Sequence, residues 1–141
     1  MQKMIDPPLE EFLAFLQEPV ETPLVMINLL KYRERAEYPQ DFDAEPCSGR
    51  DAYGRYGVVA MEKLAKVGAG IVWVGSVDRC AIAPPDESWD DVAVVVYPSR
   101  KAMLEMISMP DYQASTVHRT AGLENTRLIA TTTVAGGFAP A

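Results

Sequence analysis

Histidine occurs once and cysteine twice in this chain of 141 residues. With His118 as the lone imidazole, a multi-histidine metal site within one chain is excluded. Cys47 and Cys80 have no CxxC spacing and make neither a zinc ligand set nor a disulfide framework; a structural or incidental role is expected of both. Long hydrophobic runs are also missing, so no segment approaches the length that crosses a bilayer. The stretch from Met1 to Pro8 lacks the apolar core of a secretion signal. Positive charge is in short supply, and the net charge of -7 disfavours nonspecific attraction to nucleic acid or anionic membranes. Phosphate loop, Rossmann glycine fingerprint, HExxH and nucleophile elbow are all absent. The expectation is a cytoplasmic protein with neither nucleic acid nor membrane as partner, and with no cofactor.

What is present describes one ordinary globular domain, 48% hydrophobic and 23% charged. Asp6 before Pro7 predicts a helix start with an acidic N-cap. Leu9, Phe12, Leu13 and Leu16 then share one face until Pro19 and Pro23 end the helix. This makes residues 1–23 a helical appendage. Leu24 to Tyr32 reads as a strand, and the polar, proline-bearing stretch from Arg33 to Ser48 as a long loop of the kind that carries function or mobility. Gly49 to Val67 repeats Tyr53, Tyr56, Ala60, Leu64 and Val67 at helical spacing, with Gly68 and Gly70 as stops.

Two strands follow, Ile71 to Val77 and Asp91 to Tyr97, close enough to form a hairpin. Ser99 caps a helix that Pro110 must interrupt. Asp111 to Ala121 resumes it, Gly122 suits a C-cap, and Arg127 to Val134 is the last strand. Residues 135–141 form a small-residue tail. The order over residues 24–134 is β-α-β-β-α-β, an α+β split βαβ pattern of the ferredoxin-like kind. It predicts a four-stranded antiparallel sheet with two helices on one face.

The strands do not alternate between apolar and polar. Val25, Ile27 and Leu29 oppose Met26, Asn28 and Leu30. Ile71, Trp73 and Val77 oppose Val72 and Val74, and Val92, Val94 and Val96 oppose Ala93, Val95 and Tyr97. One layer of helices covers only one of two apolar faces. A second copy of the sheet is the economical cover for the other, which predicts a homodimer. The alternative is that the N-terminal helix covers that face alone.

Few residues carry chemistry. Gly54 and Gly57 inside a helix imply either tight packing or room for a ligand beside Tyr53 and Tyr56. Asn28, amid an apolar strand, either ties down a neighbouring loop or faces a pocket. Trp73 is core or pocket wall. Arg100 and Arg119 suit carboxylate recognition, or pair internally with Asp90, Asp91, Asp111 or Glu105. His118 is either a surface residue or a general base, with haem ligation as a further option.

Several segments taken in order resemble a known family: Asn28 to Arg33, Ser48 to Tyr53, Trp89 to Val92, Tyr97 to Arg100, Pro110 to Tyr112 and His118 to Leu123. The chain is similar, over residues 24 to 133, to the domain of unknown function 1330 family of the dimeric α/β-barrel superfamily. The resemblance implies a dimer whose two sheets form a barrel. Relatives in that superfamily include cofactor-independent monooxygenases, haem-handling enzymes, muconolactone isomerase and ligand-sensing domains. The family has no settled activity, so no catalytic residues carry over.

Two functional expectations follow. In the first, a small-molecule enzyme of oxygenase-like or isomerase-like type has its pocket between sheet and helices. His118 and Arg119 are then catalytic, and Asn28, Tyr53, Tyr56, Trp73 and Arg100 bind the ligand. In the second, a non-catalytic or stress-related dimer holds a metabolite in the same pocket.

Overall fold

Two serines start the helices that position everything else. Ser48 Oγ accepts from the Asp51 amide at 3.0 Å and opens α2 (Gly49–Lys66). Ser99 Oγ accepts from the Ala102 amide at 3.1 Å and opens α3 (Arg100–Ile107); each satisfies an amide that has no partner within its own helix. At the other end of α2, Gly68 adopts φ +74°. Its amide bonds to Ala65 O while that of Ala69 bonds to Leu64 O, the paired closure of a Schellman motif.

The structure, a computed structural model, describes residues 1–137; the tail expected over 135–141 lies partly outside them. The remaining elements are α1 (Leu9–Gln17), β1 (Leu24–Tyr32), β2 (Gly70–Ser76), β3 (Asp91–Tyr97), α4 (Pro110–Gly122) and β4 (Leu123–Thr131). The strands form one antiparallel sheet in the order β2-β3-β1-β4, the α+β, ferredoxin-like arrangement.

Three local expectations need correction. The first helix begins at Leu9, not at Asp6: Pro8 forces Pro7 out of helical geometry, and Pro8 itself stands at the N-cap with ψ 99° and no side-chain cap. The expected interruption at Pro110 is present and is a full split, with Pro110 at the first position of α4. The last strand begins at Leu123 rather than Arg127. Leu123 already has extended backbone, φ -89° and ψ 130°, so helix passes into strand without a loop. It ends at Thr131, opposite Val25, because β1 offers almost no partner beyond that point.

The third correction concerns β2, whose register shifts between Ile71 and Trp73. The extra residue turns Trp73 to the side of Val94, while Ile71 and Val74 share the side of Val95 and Ala93. Ile71 and Trp73 therefore face opposite ways, and Val77 lies beyond the strand.

Met26, Leu24, Val95 and Tyr97 meet Leu64, Met103 and Met106 in the main core, and Leu16 of α1 joins them. All lie on the helix side of the sheet. The N-terminal helix thus packs where the other helices pack, and the apolar face of Val25, Ile27, Leu29, Val92, Val94 and Val96 has no helix over it. Trp73 and Ile129 on that face are 53% and 47% exposed.

Candidate functional site

Strand parity brings Met26, Asn28 and Leu30 of β1 to the helix side, opposite Val95, Ala93 and Asp91 of β3. On α2, Tyr53, Tyr56, Gly57, Ala60 and Leu64 recur at three- and four-residue steps and turn toward the same strands. On α4, Tyr112, Thr116 and Arg119 do likewise. Between these elements is a cavity of about 400 Å³, closed at one side by Asp6, Leu9 and Phe12 of the N-terminal segment. A second cavity, about 380 Å³, lies between that segment and β4 and shares Asp6, Pro7, Phe12, Met26, Arg119 and Leu128 with the first.

The larger cavity is walled by aromatic rings. Tyr32, Tyr53, Tyr56, Tyr97 and Tyr112, five of the 6 tyrosines in the chain, line it. Successive rings are in contact: Tyr32 and Tyr53 at 5.5 Å between centroids, Tyr53 and Tyr56 at 5.3 Å, Tyr56 and Tyr112 at 5.8 Å. The Tyr56 and Tyr112 hydroxyls share a 2.8 Å hydrogen bond. Tyr32 donates to Asp91 Oδ2 at 2.8 Å, and that same oxygen accepts from Arg50 at 2.7 Å. The Tyr53 and Tyr97 hydroxyls take no protein partner among the described residues.

Burial raises the pKa of Tyr32, Tyr53, Tyr56 and Tyr97. Tyr53 is pushed up to about 12, mainly by desolvation, with Arg119 opposing the rise. Tyr56 and Tyr97 rise for the same leading reason. At Tyr32 the Asp91 hydrogen bond adds to burial. All four are neutral O–H groups near pH 7 and act as hydrogen-bonding groups rather than bases; the Tyr32 proton is already committed to Asp91.

Of the seven residues singled out from sequence, four line this cavity: Asn28, Tyr53, Tyr56 and Arg119. Asn28 Nδ2 donates to Ala93 O at 3.3 Å, so the amide is tied to the neighbouring strand, not to a loop, while it faces the cavity. Neither Gly54 nor Gly57 is tightly packed: a β-carbon at either would touch nothing within 4 Å. Gly57 borders the cavity and leaves space there.

The other three lie elsewhere. Trp73 is on the opposite sheet face, its ring lying over Gly75. Arg100 stacks on Phe15 at 4.0 Å and pairs with Glu18, which ties α3 to α1. His118 turns outward to the 33–48 loop, where its Nδ1 shares a 2.7 Å hydrogen bond with Tyr38 Oη. Arg55 also donates to that oxygen, at 3.0 Å, and Phe42 stacks on Tyr38. Burial and then the Arg55 charge lower the His118 pKa. This loop is held to α2 and α4 and lines neither cavity. The carboxylates that meet Arg100 and Arg119 are Glu18 and Asp6, both from the N-terminal segment rather than from the acids near them in sequence.

Tyr32, Tyr97 and Tyr112 were not among the residues singled out. Tyr97 stands opposite Leu24 on the inward parity, and Tyr112 shares a helix face with Arg119, which was the available signal. No group of three or more His, Cys, Asp or Glu that could hold a metal ion occurs among the described residues. No described helix is long and apolar enough to cross a membrane.

Comparison with known proteins finds solved structures. The RPA0582 protein of unknown function from Rhodopseudomonas palustris shares 36% identity over 96% of this chain and 100% of its own, with a TM-score of 0.87. The methylated form of RPA0582 gives 36% identity over 97% and 99%, with a TM-score of 0.88. A dabb family protein with a ferredoxin-like fold from Mesorhizobium loti is 12% identical over 80% and 98%, with a TM-score of 0.47. No family model matches, and no curated protein matches.

Proposed function

The chain belongs to the family of the Rhodopseudomonas palustris RPA0582 protein, and on that premise we propose that it binds a small, largely apolar organic molecule between sheet and helices. The finer family reading, domain of unknown function 1330, rests on the ordered motifs from Asn28 to Leu123.

One observation carries the ligand: a cavity of about 400 Å³, lined by five tyrosines, on which Asn28 and Arg119 also converge. Mostly apolar walls with a few placed polar groups are the general character of small-molecule sites. The choice between catalysis and binding follows from the polar groups. They are phenol hydroxyls, the side-chain amides of Asn28 and Gln113, the Thr116 hydroxyl and the Arg119 guanidinium, and the one carboxylate, Asp6, is engaged with that guanidinium. His118, the candidate acid/base, faces away. We therefore favour a binding protein over an oxygenase-like or isomerase-like enzyme; the latter would use the same cavity.

The partner in this reading is a second copy of the chain. The uncovered face is a continuous field of valine, isoleucine and leucine, and α1 is already committed to the other side of the sheet. A matching sheet is apolar and self-complementary under a two-fold axis.

Gly57→Leu tests the pocket. It fills space at a position where a β-carbon meets nothing, and replacing glycine within a helix contributes about 1 kcal/mol of stability. Fluorescence titration with 8-anilinonaphthalene-1-sulfonate should show saturable binding to the wild type and its loss in the more stable variant. Equal binding by both proteins would place the probe outside this cavity and defeat the reading.

A further inference from the structure

One guanidinium borders both cavities. Arg119 Nη1 donates to the Ile5 carbonyl at 2.8 Å and lies 3.6 Å from Asp6 Oδ1. Its Nε and Nη2 have no protein partner among the described residues. A guanidinium carries five N–H donors in a planar fork, so part of the fork of this cavity-lining residue has no protein partner among the described residues. Phe12, Met26 and Leu128 surround it with apolar surface. Arg119 is the only Lys or Arg lining the larger cavity among the described residues. A single cation set against an aromatic wall suits one carboxylate on an apolar body. A phosphate ester, carrying more charge, would call for further cations.

We infer that the larger cavity takes a planar apolar carboxylate, bound by the Arg119 guanidinium, and that Asp6 competes with this ligand for that group. This rests on the small-molecule reading and names its ligand class. It also links the site to the N-terminal segment. Met4 is bonded to β4 through the Asn125 side chain at 2.8 Å and the Thr126 amide at 2.9 Å, which holds Asp6 beside the cavity. The Asp6 side chain is 71% exposed, so it can turn into solvent when a ligand carboxylate replaces it.

The test compares 2-naphthoate with neutral 2-naphthamide by isothermal titration at pH 7, two probes with the same ring system. The wild type should bind the carboxylate about tenfold more tightly, since hydrogen bonds to charged groups are the strong ones. Arg119→Met should abolish that preference while leaving naphthamide affinity within about threefold. Asp6→Asn should tighten naphthoate by about threefold and leave naphthamide unchanged, because it removes only the competing charge. Because Arg119 also holds Ile5, Arg119→Lys serves where the methionine variant does not fold. It keeps the charge, loses the fork and should lose most of the preference.

Equal wild-type affinity for the two probes, or a preference that survives Arg119 substitution, overturns the carboxylate inference and leaves the pocket reading standing. An unchanged naphthoate affinity in Asp6→Asn overturns the competition. Failure of both probes to bind the wild type counts against the pocket itself.

Discussion

Gly49 and Gly122 meet backbone to backbone: a β-carbon at Gly49 would fall 2.6 Å from the Gly122 carbonyl oxygen, and one at Gly122 would fall 2.4 Å from that of Gly49. This contact joins the start of α2 to the end of α4 and so sets the width of the cavity that Tyr53 and Arg119 share. Backbone atoms cannot turn aside as a flexible side chain can. Gly122→Ala should therefore destabilise the fold by about 3 kcal/mol, the upper range for overpacking. Gly54→Ala, where a β-carbon meets nothing, should instead stabilise it by about 1 kcal/mol. Urea unfolding of the two variants checks both signs, and equal effects would contradict the contact.

Trp73 supplies the prediction for assembly. It lies on the uncovered sheet face and is 53% exposed, so a charge there should spare the protomer while opposing burial against a second sheet. Sedimentation at micromolar concentration should report a dimer for the wild type and a monomer for Trp73→Asp, with circular dichroism unchanged. A monomeric wild type would refute the pairing.

The buried tyrosines predict how stability responds to alkali. Tyr53 titrates at about 12 in the folded chain, above its ordinary 10.0, and Tyr32, Tyr56 and Tyr97 are raised as well. Above pH 10 the unfolded chain has lost protons that the folded chain keeps. The unfolded state then binds fewer protons, and stability falls as pH rises. The loss is about 1.4 kcal/mol per pH unit for each such tyrosine while its folded form stays protonated. Below pH 10 the contribution is fully present. Urea midpoints between pH 9 and 12 should decline steeply in the wild type and less steeply in Tyr53→Phe. A wild-type midpoint that holds level across this range would show that these hydroxyls are not buried.

The fold was legible wherever a local rule acts alone. The serine cap at Ser99, the helix stop at Gly68 and the break at Pro110 each follow from the chemistry of one or two residues. The parity of β1 and β3 was equally plain, because both strands run without interruption. The reading failed where position depended on a distant partner. Leu123 begins β4 because Gly49 lets α4 end against α2, and the polar residues after Leu123 disguised the strand. The bulge at Val72 reversed Trp73, and nothing in the order Ile71-Val72-Trp73-Val74 announces it.

The candidate site divides along the same line. Asn28, Tyr53, Tyr56 and Arg119 were identified from sequence because strand parity and helix periodicity aim them at one layer. His118 immediately precedes Arg119 in the same helix yet turns outward to Tyr38, since adjacent helical residues point about 100° apart and a loop was available to receive it. Arg100 was used to hold α1, whose docking side no local pattern specifies.

The sequence by itself determined the order of the elements, the two apolar faces of the sheet and the scarcity of metal-binding or basic side chains, all of which depend on residue type and short-range spacing. Tertiary structure alone decided that α1 packs on the helix side, that five tyrosines surround one cavity, and that Asp6 meets Arg119. Those outcomes come from contacts between segments far apart in the chain, which no local spacing encodes.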